Sequence, residues 1–445
     1  MPDDGLPLEQ LLPLYAEVTV KIGLNLQPGQ RLLILGPVAN GGASLDAAPL
    51  VRHVAATAYA AGAPLVEVLW GDEPLQAVRF KCARRDTFKQ FSAWLPGALV
   101  AHVEAGHAVL SIYANDPDQL KNEPPELVSM LQQTTARAVR PFREHLSRNQ
   151  TNWCVVAAAA PAWAARVFPG AEPNQHLDRL WSVIARLCRL ERPDPVAAWE
   201  AHLNELYTRT EQLNRKRYTA LRYSAPGTAL AIGLPDDHLW IGGRSTNAAG
   251  IQFAPNLPTE EVFTMPHKDR VDGTVRSTKP LSYGGTLIDG FSLRFAGGRV
   301  VDVRAKQGEA VLRTLIETDP GAARLGEVAL VPQSSPIAQT GLLFYNTLFD
   351  ENAASHVAIG AAYKFTLQRG EAMSDDEFER AGGNRSATHV DFMIGSADLD
   401  IDGVLGDGRV EPLMRRGDCS MMPTHWKRQE RFQSCWSWYR AKSRR

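Results

Sequence analysis

Four short runs dominated by apolar residues, Arg31-Leu-Leu-Ile-Leu-Gly36, Leu65-Val-Glu-Val-Leu-Trp70, Ala108 to Ala114 and Trp153-Cys-Val-Val-Ala157, recur through the first half of the chain with long intervening stretches. Runs of this length, bounded by turn residues such as Gln27-Pro28-Gly29-Gln30, read as buried strands. The stretches between and around them read as helices: Leu6 to Ile22, Ala47 to Ala61 stopped by Gly62, Glu73 to about Trp94, Pro125 to Ser147, Gln175 to Arg189 and Pro195 to Leu221. Parallel strands need a crossover of a dozen or more residues, usually a helix. The alternation therefore predicts a doubly wound α/β layer. No G-x-G-x-x-G follows the first strand and no G-x-x-x-x-G-K-[ST] occurs, so a nucleotide-phosphate cradle lacks sequence support. This half reads as scaffold or substrate wall.

From about Thr228 the pattern changes to short strands at close spacing: Ala229 to Ile232, His238 to Ile241, Gly273 to Ser277, Thr286 to Ile288, Phe291 to Phe295 and Arg299 to Ala305. Phe291-Ser-Leu-Arg-Phe295 alternates apolar and polar, and Ala296-Gly-Gly-Arg299 is a hairpin turn. A helix is expected at Gly308 to Thr318. The fold class is thus α/β, with an N-terminal doubly wound domain over 1–225 and a C-terminal α+β domain with antiparallel strands over 226–416. A chain of 445 residues exceeds what one core supports, which agrees with two domains.

With 48 basic and 49 acidic residues the net charge is −1, so no global field gathers nucleic acid or an acidic membrane. No apolar run is long enough to span a bilayer, and the N-terminus does not read as a secretory signal. Cys82, Cys154, Cys188, Cys419 and Cys435 are odd in number and never at C-x-x-C spacing. That argues against a disulfide framework and a thiolate zinc site, and for a reducing cytoplasm. Two matches to the glycosylation sequon, at Asn149 and Asn384, are expected to be chance.

The residues suited to chemistry lie between Pro258 and Asp391. Glu260 and Glu261 sit between Pro258 and Pro266; they are either site carboxylates or an acidic pair at a helix start capped by Thr259. Glu327 is one carboxylate in the apolar run Gly326-Glu-Val-Ala-Leu-Val-Pro332. If buried it calls for a cation, and if on an edge strand it faces water. If Phe349 to Gly360 forms a helix, Asn352 and His356 stand at i and i+4, Tyr363 seven residues beyond His356 lies on the same face, and Glu351 is within reach. His356 alone is equally explained as a hydrogen-bonded core histidine. In Thr388-His-Val-Asp-Phe-Met393, strand alternation sends His389 and Asp391 to one face, toward either a metal or solvent.

Together these are carboxylates and imidazoles without thiolates, a set suited to zinc, cobalt, manganese or magnesium. The excess of carboxylates suggests two divalent ions sharing an acid, an arrangement that polarises a carbonyl and activates water for hydrolysis. Asp398-Leu-Asp-Ile-Asp-Gly403 copies half of a calcium loop, but position twelve is Arg409, so it reads as a turn-rich acidic loop. Neither G-x-S-x-G nor H-E-x-x-H occurs.

Five strings, Asn256-Leu-Pro-Thr-Glu-Glu-Val-Phe-Thr264, Gly273-Thr-Val-Arg-Ser-Thr-Lys-Pro-Leu281, Leu325-Gly-Glu-Val-Ala-Leu-Val-Pro332, Leu343-Phe-Tyr-Asn-Thr-Leu-Phe-Asp-Glu-Asn352 and Thr388-His-Val-Asp-Phe-Met-Ile-Gly395, carry a resemblance to the thermophilic metalloaminopeptidase family of aminopeptidases T, S and II. The resemblance covers roughly residues 5 to 416. It implies a homodimer that releases N-terminal residues from peptides with a free N-terminus. It also implies that Glu261, Glu327, His356, His389 and Asp391 ligate two metal ions, with Glu327 as the bridge, Glu351 as a further ligand and Tyr363 as a metal-binding or oxyanion-stabilising group. Glu260 is expected to shuttle the proton. A silent peptide-binding protein of the same fold, or a dinuclear amidase or esterase, are the alternatives. The chain departs from the family in the basic, Trp-bearing segment 417–445, which reads as an atypical tail rather than a nucleic-acid-binding element.

Overall fold

The structure is a computed structural model that describes residues 6–283 and 286–420; the tail expected at 417–445 lies outside them from residue 421 on. In the first half, α1 (Leu8–Val18) precedes β1 (Leu32–Leu35), and α2 (Ala48–Ala60) crosses to β2 (Val66–Val68). Next come α3 (Glu73–Cys82), α4 (Trp94–Glu104), β3 (Ala108–Tyr113), α5 (Pro125–Ser147), β4 (Trp153–Ala157), α6 (Pro161–Val167), α7 (His176–Leu187) and α8 (Pro195–Lys216). The strands form the expected parallel sheet in the order β2-β1-β3-β4. The order reverses between β1 and β3, and in such sheets the crevice at the carboxyl ends is where ligands are met.

Two helix boundaries differ from expectation. The stretch from Glu73 to Trp94 is not one helix: α3 ends at Cys82, and a second helix begins at Trp94. Pro96 and Gly97 look like breakers, but a proline in a first helical turn forfeits no intrahelical bond. α8 stops at Lys216 rather than Leu221 because Arg217 turns left-handed, at φ 49°.

The second half opens with the hairpin β5 (Ala220–Ala225) and β6 (Thr228–Gly233), followed by β7 (Val262–Thr264), β8 (Val271–Arg276), β9 (Ser292–Ala296) and β10 (Arg299–Arg304). After α9 (Glu309–Ile316) come β11 (Leu325–Leu330), α10 (Pro336–Thr340), α11 (Thr347–Asp350), β12 (His356–Gly360), α12 (Asp375–Arg380), β13 (His389–Met393), β14 (Asp400–Val404), β15 (Val410–Arg415) and β16 (Asp418–Cys419). An eight-stranded sheet runs β10-β9-β8-β6-β5-β14-β15-β16, and a four-stranded antiparallel sheet runs β7-β11-β12-β13.

Three further segments depart from the sequence expectation. His238 to Ile241 makes only isolated bridges, to Leu367 and Phe263. The acidic segment after Asp398 is a strand, β14, whose Ile401 packs in the core. Phe349 to Gly360 is not a helix: α11 ends at Asp350, a 3₁₀ turn spans Glu351–Ala353, and His356 opens a fully buried strand. The run His356-Val-Ala-Ile-Gly360 is short and continuously buried, and such runs carry no period that separates strand from helix.

The two sheet systems lock together. The backbone amide of Val155 on the free edge of β4 donates to Pro255 O (2.7 Å), and that of Leu257 donates to Val155 O (3.0 Å). This fixes the segment that leads into Glu260 and Glu261. Phe344, Leu348 and Phe349 belong to the first core, where buried Trp163 donates its indole N–H to Phe344 O at 2.6 Å. α8 serves both cores, through Leu203 in the first and Leu206 and Leu213 in the second. Trp163→Phe removes one donor and leaves a buried carbonyl unsatisfied; it should cost about 1–3 kcal/mol in urea unfolding. Trp163→Ala adds a cavity and should cost about 3–5 kcal/mol.

Candidate metal centre

The four-stranded sheet has one apolar and one polar face, and its register sorts the residues between them. Val262, Val328, Leu330, Val357, Ile359 and Phe392 point into the second core. On β7 and β11, Phe263 pairs with Ala329; on β11 and β12, Ala329 pairs with His356 and Glu327 with Ala358. Ala358 pairs in turn with Asp391, and Gly360 with His389. Residues directly opposite in a ladder share a face, as do positions two apart along a strand. Glu327, His356, His389 and Asp391 therefore rise from one face, and Glu261, two before Phe263, joins them. Between the acids of β11 and β13 stands only Ala358, whose small side chain leaves a volume above the strand.

A bulge aims Glu327 into that volume. The register shifts between Leu325, opposite Ile359, and Glu327, opposite Ala358, so Leu325 enters the core while Glu327 faces the opposite way. The residue between them must be glycine, since a Cβ on Gly326 would lie 2.2 Å from Ala361 O.

The structure gathers five of the expected ligands into two groups whose candidate atoms lie within 4.8 Å of one another: Glu261, Glu327 and His356, and Glu327, His389 and Asp391. Glu327 belongs to both. Its Oε1 lies 3.5 Å from His356 Nε2 and its Oε2 lies 3.6 Å from His389 Nε2. His356 Nε2 is also 3.2 Å from Glu261 Oε2, and His389 Nε2 is 3.4 Å from Asp391 Oδ1.

Each imidazole has its tautomer fixed from behind. His356 Nδ1 faces Ala354 O at 3.1 Å and His389 Nδ1 faces Ala361 O at 2.7 Å. A carbonyl only accepts, so Nδ1 carries the hydrogen in both rings and Nε2 meets the carboxylates, the arrangement of a metal-binding histidine. Glu261 Oε2 and Asp391 Oδ1 are buried with no well-aligned hydrogen-bond donor, only the imidazole nitrogens 3.2 and 3.4 Å away, although buried carboxylate oxygens are normally satisfied.

The titration behaviour reflects the same want of positive charge. Burial works to lower the pKa of His356, yet Glu261 and Glu327 outweigh it and hold it well above its usual range. Burial opposes the charged form of His389 too, but Asp391 and Glu327 raise it to about 9. Burial pushes the Glu327 carboxyl up, against the pull of His356. Burial works to raise Asp391 as well, and His389 overrides it to hold the carboxyl below its ordinary value. Protons are thus retained where a cation would sit, and the orphaned oxygens, fixed tautomers and oxygen-and-nitrogen donor set fit divalent metal ions.

The remaining expected residues fall around this volume. Glu351, half-buried, stands outside both close groups, and its carboxyl is pushed well above the usual range by burial and by Glu261 and Asp391. Tyr363 lies in the loop after β12, its ring 4.8 Å from that of His389 and stacked on Phe365. Burial and Glu327 raise its phenol well above the usual range, so it keeps its proton. Glu260 points elsewhere: Oε1 accepts from Arg189 at 2.7 Å and Oε2 lies 3.6 Å from His202. No helix begins at Thr259; its carbonyl instead accepts from His202 Nε2 at 2.8 Å. From the parallel sheet, Tyr113 at the carboxyl end of β3 comes within electrostatic range of Glu351 and Arg143. Arg189, His202, Ala358 and Gly326 carry no local sequence signal: their partners at the site lie between 31 residues away, for Ala358 and Glu327, and 71, for Arg189 and Glu260.

Comparison with known proteins shows the family. The model of the thermophilic metalloprotease (M29) family matches residues 8–419. The chain is 47% identical over 410 residues to Aminopeptidase 2 of Geobacillus stearothermophilus, covering 92% of this chain and 98% of that one. It is 45% identical to Aminopeptidase T of Thermus thermophilus over 402 residues, covering 90% and 96%. The solved structure of wild-type AmpT from Thermus thermophilus superposes with a TM-score of 0.86 at 44% identity, covering 93% of this chain and 100% of that one. On sequence and fold alike, the chain belongs to the M29 family of thermophilic metalloproteases.

Proposed function

We propose that the protein is a metal-dependent aminopeptidase that releases N-terminal residues from peptides at a dinuclear centre. The relatives carry the name aminopeptidase. The observation that supports the dinuclear reading is Glu327, whose two oxygens face two different histidines. Glu261, Glu327 and His356 would hold one ion and Glu327, His389 and Asp391 the other. Four carboxylates with Glu351 included, beside two neutral imidazoles, balance the charge of two dications; zinc, cobalt, manganese and magnesium all accept this donor set. When bound, such ions supply Lewis-acid polarisation of a carbonyl and a water that ionises near neutral pH.

The side chains account for the remaining steps. Tyr363 donates its phenol hydrogen to the oxygen on which charge develops as the scissile carbonyl becomes tetrahedral. Glu351, close to the volume but outside both ligand groups, takes the proton from the attacking water and returns it to the leaving amine. The shuttle expected at Glu260 passes to Glu351, because Glu260 is held by Arg189. The substrate's free α-amino group needs an anionic or metal docking point beside the scissile carbonyl, and that requirement would restrict cleavage to the first residue. The homodimer implied by the family resemblance, and the reducing cytoplasm suggested by an odd cysteine count without C-x-x-C spacing, belong to the same proposal. No described helix is long and apolar enough to cross a membrane.

Chelator-stripped protein should be inert toward aminoacyl-anilides and regain turnover with cobalt, zinc, manganese or magnesium, while N-acetylated anilides remain uncut. Cleavage of the acetylated substrates would indicate an amidase or esterase instead, and silence with every metal a binding protein. Glu327→Gln should lower kcat by on the order of 10³-fold or more with an unchanged circular dichroism spectrum. Tyr363→Phe should lower kcat by about 10²–10³-fold with little change in metal content.

A further inference from the structure

Glu260 and Glu261 are adjacent acids at the entrance to β7, both almost fully buried, and only one of them enters the metal volume. Successive side chains in extended backbone point to opposite sides, so the choice between the two is a choice of register. Glu260 turns toward the α7–α8 connection. There the guanidinium of Arg189 donates from Nη2 to Glu260 Oε1 at 2.7 Å and from Nη1 to Leu187 O at 3.3 Å.

The guanidinium is held in advance of that contact. It lies over the Trp199 ring, 4.7 Å from the centroid, and the Trp199 indole N–H is anchored on Cys188 O at 2.7 Å. The backbone of Arg189 is left-handed, at φ 59°, which turns the chain out of α7 at this residue. His202 Nε2 donates to Thr259 O; burial lowers its pKa to about 4, so it is neutral at working pH and leaves the countercharge to Arg189. On the other flank, the backbone amide of Glu260 donates to Asn352 Oδ1 at 2.7 Å, and Asn352 Nδ2 is tied to Leu348 O at 3.0 Å.

We propose that Arg189 is a positioning residue for the metal centre: by pairing with Glu260 it withdraws the competing carboxylate and presents Glu261 to the metal ions. The inference rests on the metal-site reading above. Without Arg189, Glu260 is a buried carboxylate left beside neutral His202, 3.6 Å away, with no countercharge, and the cation-seeking volume one residue away is its nearest alternative. The α/β half of the molecule thereby takes part in metal binding through a residue that touches no metal.

The test is cobalt(II) titration of the chelator-stripped protein, followed by visible absorption, for wild type, Arg189→Met, Arg189→Lys and each of these combined with Glu260→Gln. Arg189→Met should weaken cobalt binding by about 10–100-fold, the size expected for loss of an outer partner of a ligand. Arg189→Lys keeps the charge but not the planar, stacked fork and should weaken it by a smaller factor, which carries the test if the methionine variant does not fold. Adding Glu260→Gln to either should return the affinity to within about threefold of wild type, because the amide no longer competes for the ion. A merely structural role predicts the opposite, with the double variant no better than the single one. Wild-type affinity in Arg189→Met, or absence of rescue in both pairs, overturns the proposal. Failure of the wild-type protein itself to bind cobalt overturns the metal-site reading and the inference with it.

Discussion

The second half of the molecule is arranged around a buried carboxylate, Glu327, that shares the protons of two imidazoles with two further acids. Glu327 sits mid-strand in a segment where every residue is buried, and its neighbours in space are Glu261 and Asp391 as well as two imidazoles. Taking an unpaired carboxylate out of water costs several kcal/mol, and like charges add to that cost. The fold accepts this arrangement because the surrounding geometry is built for a cation: two imidazoles with fixed tautomers, two orphaned oxygens and an alanine floor.

The rest of the architecture keeps this charge in place. The apolar face of the four-stranded sheet packs on the second core, which leaves the polar face to the site without exposing it. The glycine bulge at 326 converts an apolar strand into one that turns a single acid outward. The first half contributes more than a wall: the edge of β4 pairs with 255–257, Trp163 and its neighbours receive 344–349, and the α7–α8 connection takes up Glu260. Metal binding and the packing of the two sheet systems are therefore expected to be coupled.

Much of this was legible in the sequence. The parallel layer followed from four apolar runs spaced by helical stretches, and the pairing of His389 with Asp391 on one strand face followed from alternation with a period of two. The sequence around His356 suggests a helix because a short, fully buried strand has no periodicity of its own; its real partner set comes from ladder register, which no local pattern encodes. The helix at Trp94 was hidden by Pro96 and Gly97, which are tolerated in its first turn. Glu260 and Glu261 could not be told apart from their surroundings in the chain, since what separates them is Arg189, 71 residues earlier. The family resemblance implies the ligand set, and the register explains why five of those residues, Glu261, Glu327, His356, His389 and Asp391, converge.

The proposed dinuclear centre turns on one carboxylate, Glu327, shared between two metal ions. Anomalous diffraction at the cobalt edge from crystals of the cobalt-loaded protein measures this directly. Two peaks about 3.5–4 Å apart are expected, one on the side of Glu261 and His356 and one on the side of His389 and Asp391, with the Glu327 carboxylate between them. A single peak, or two peaks of which only one lies within bonding distance of Glu327, would contradict it.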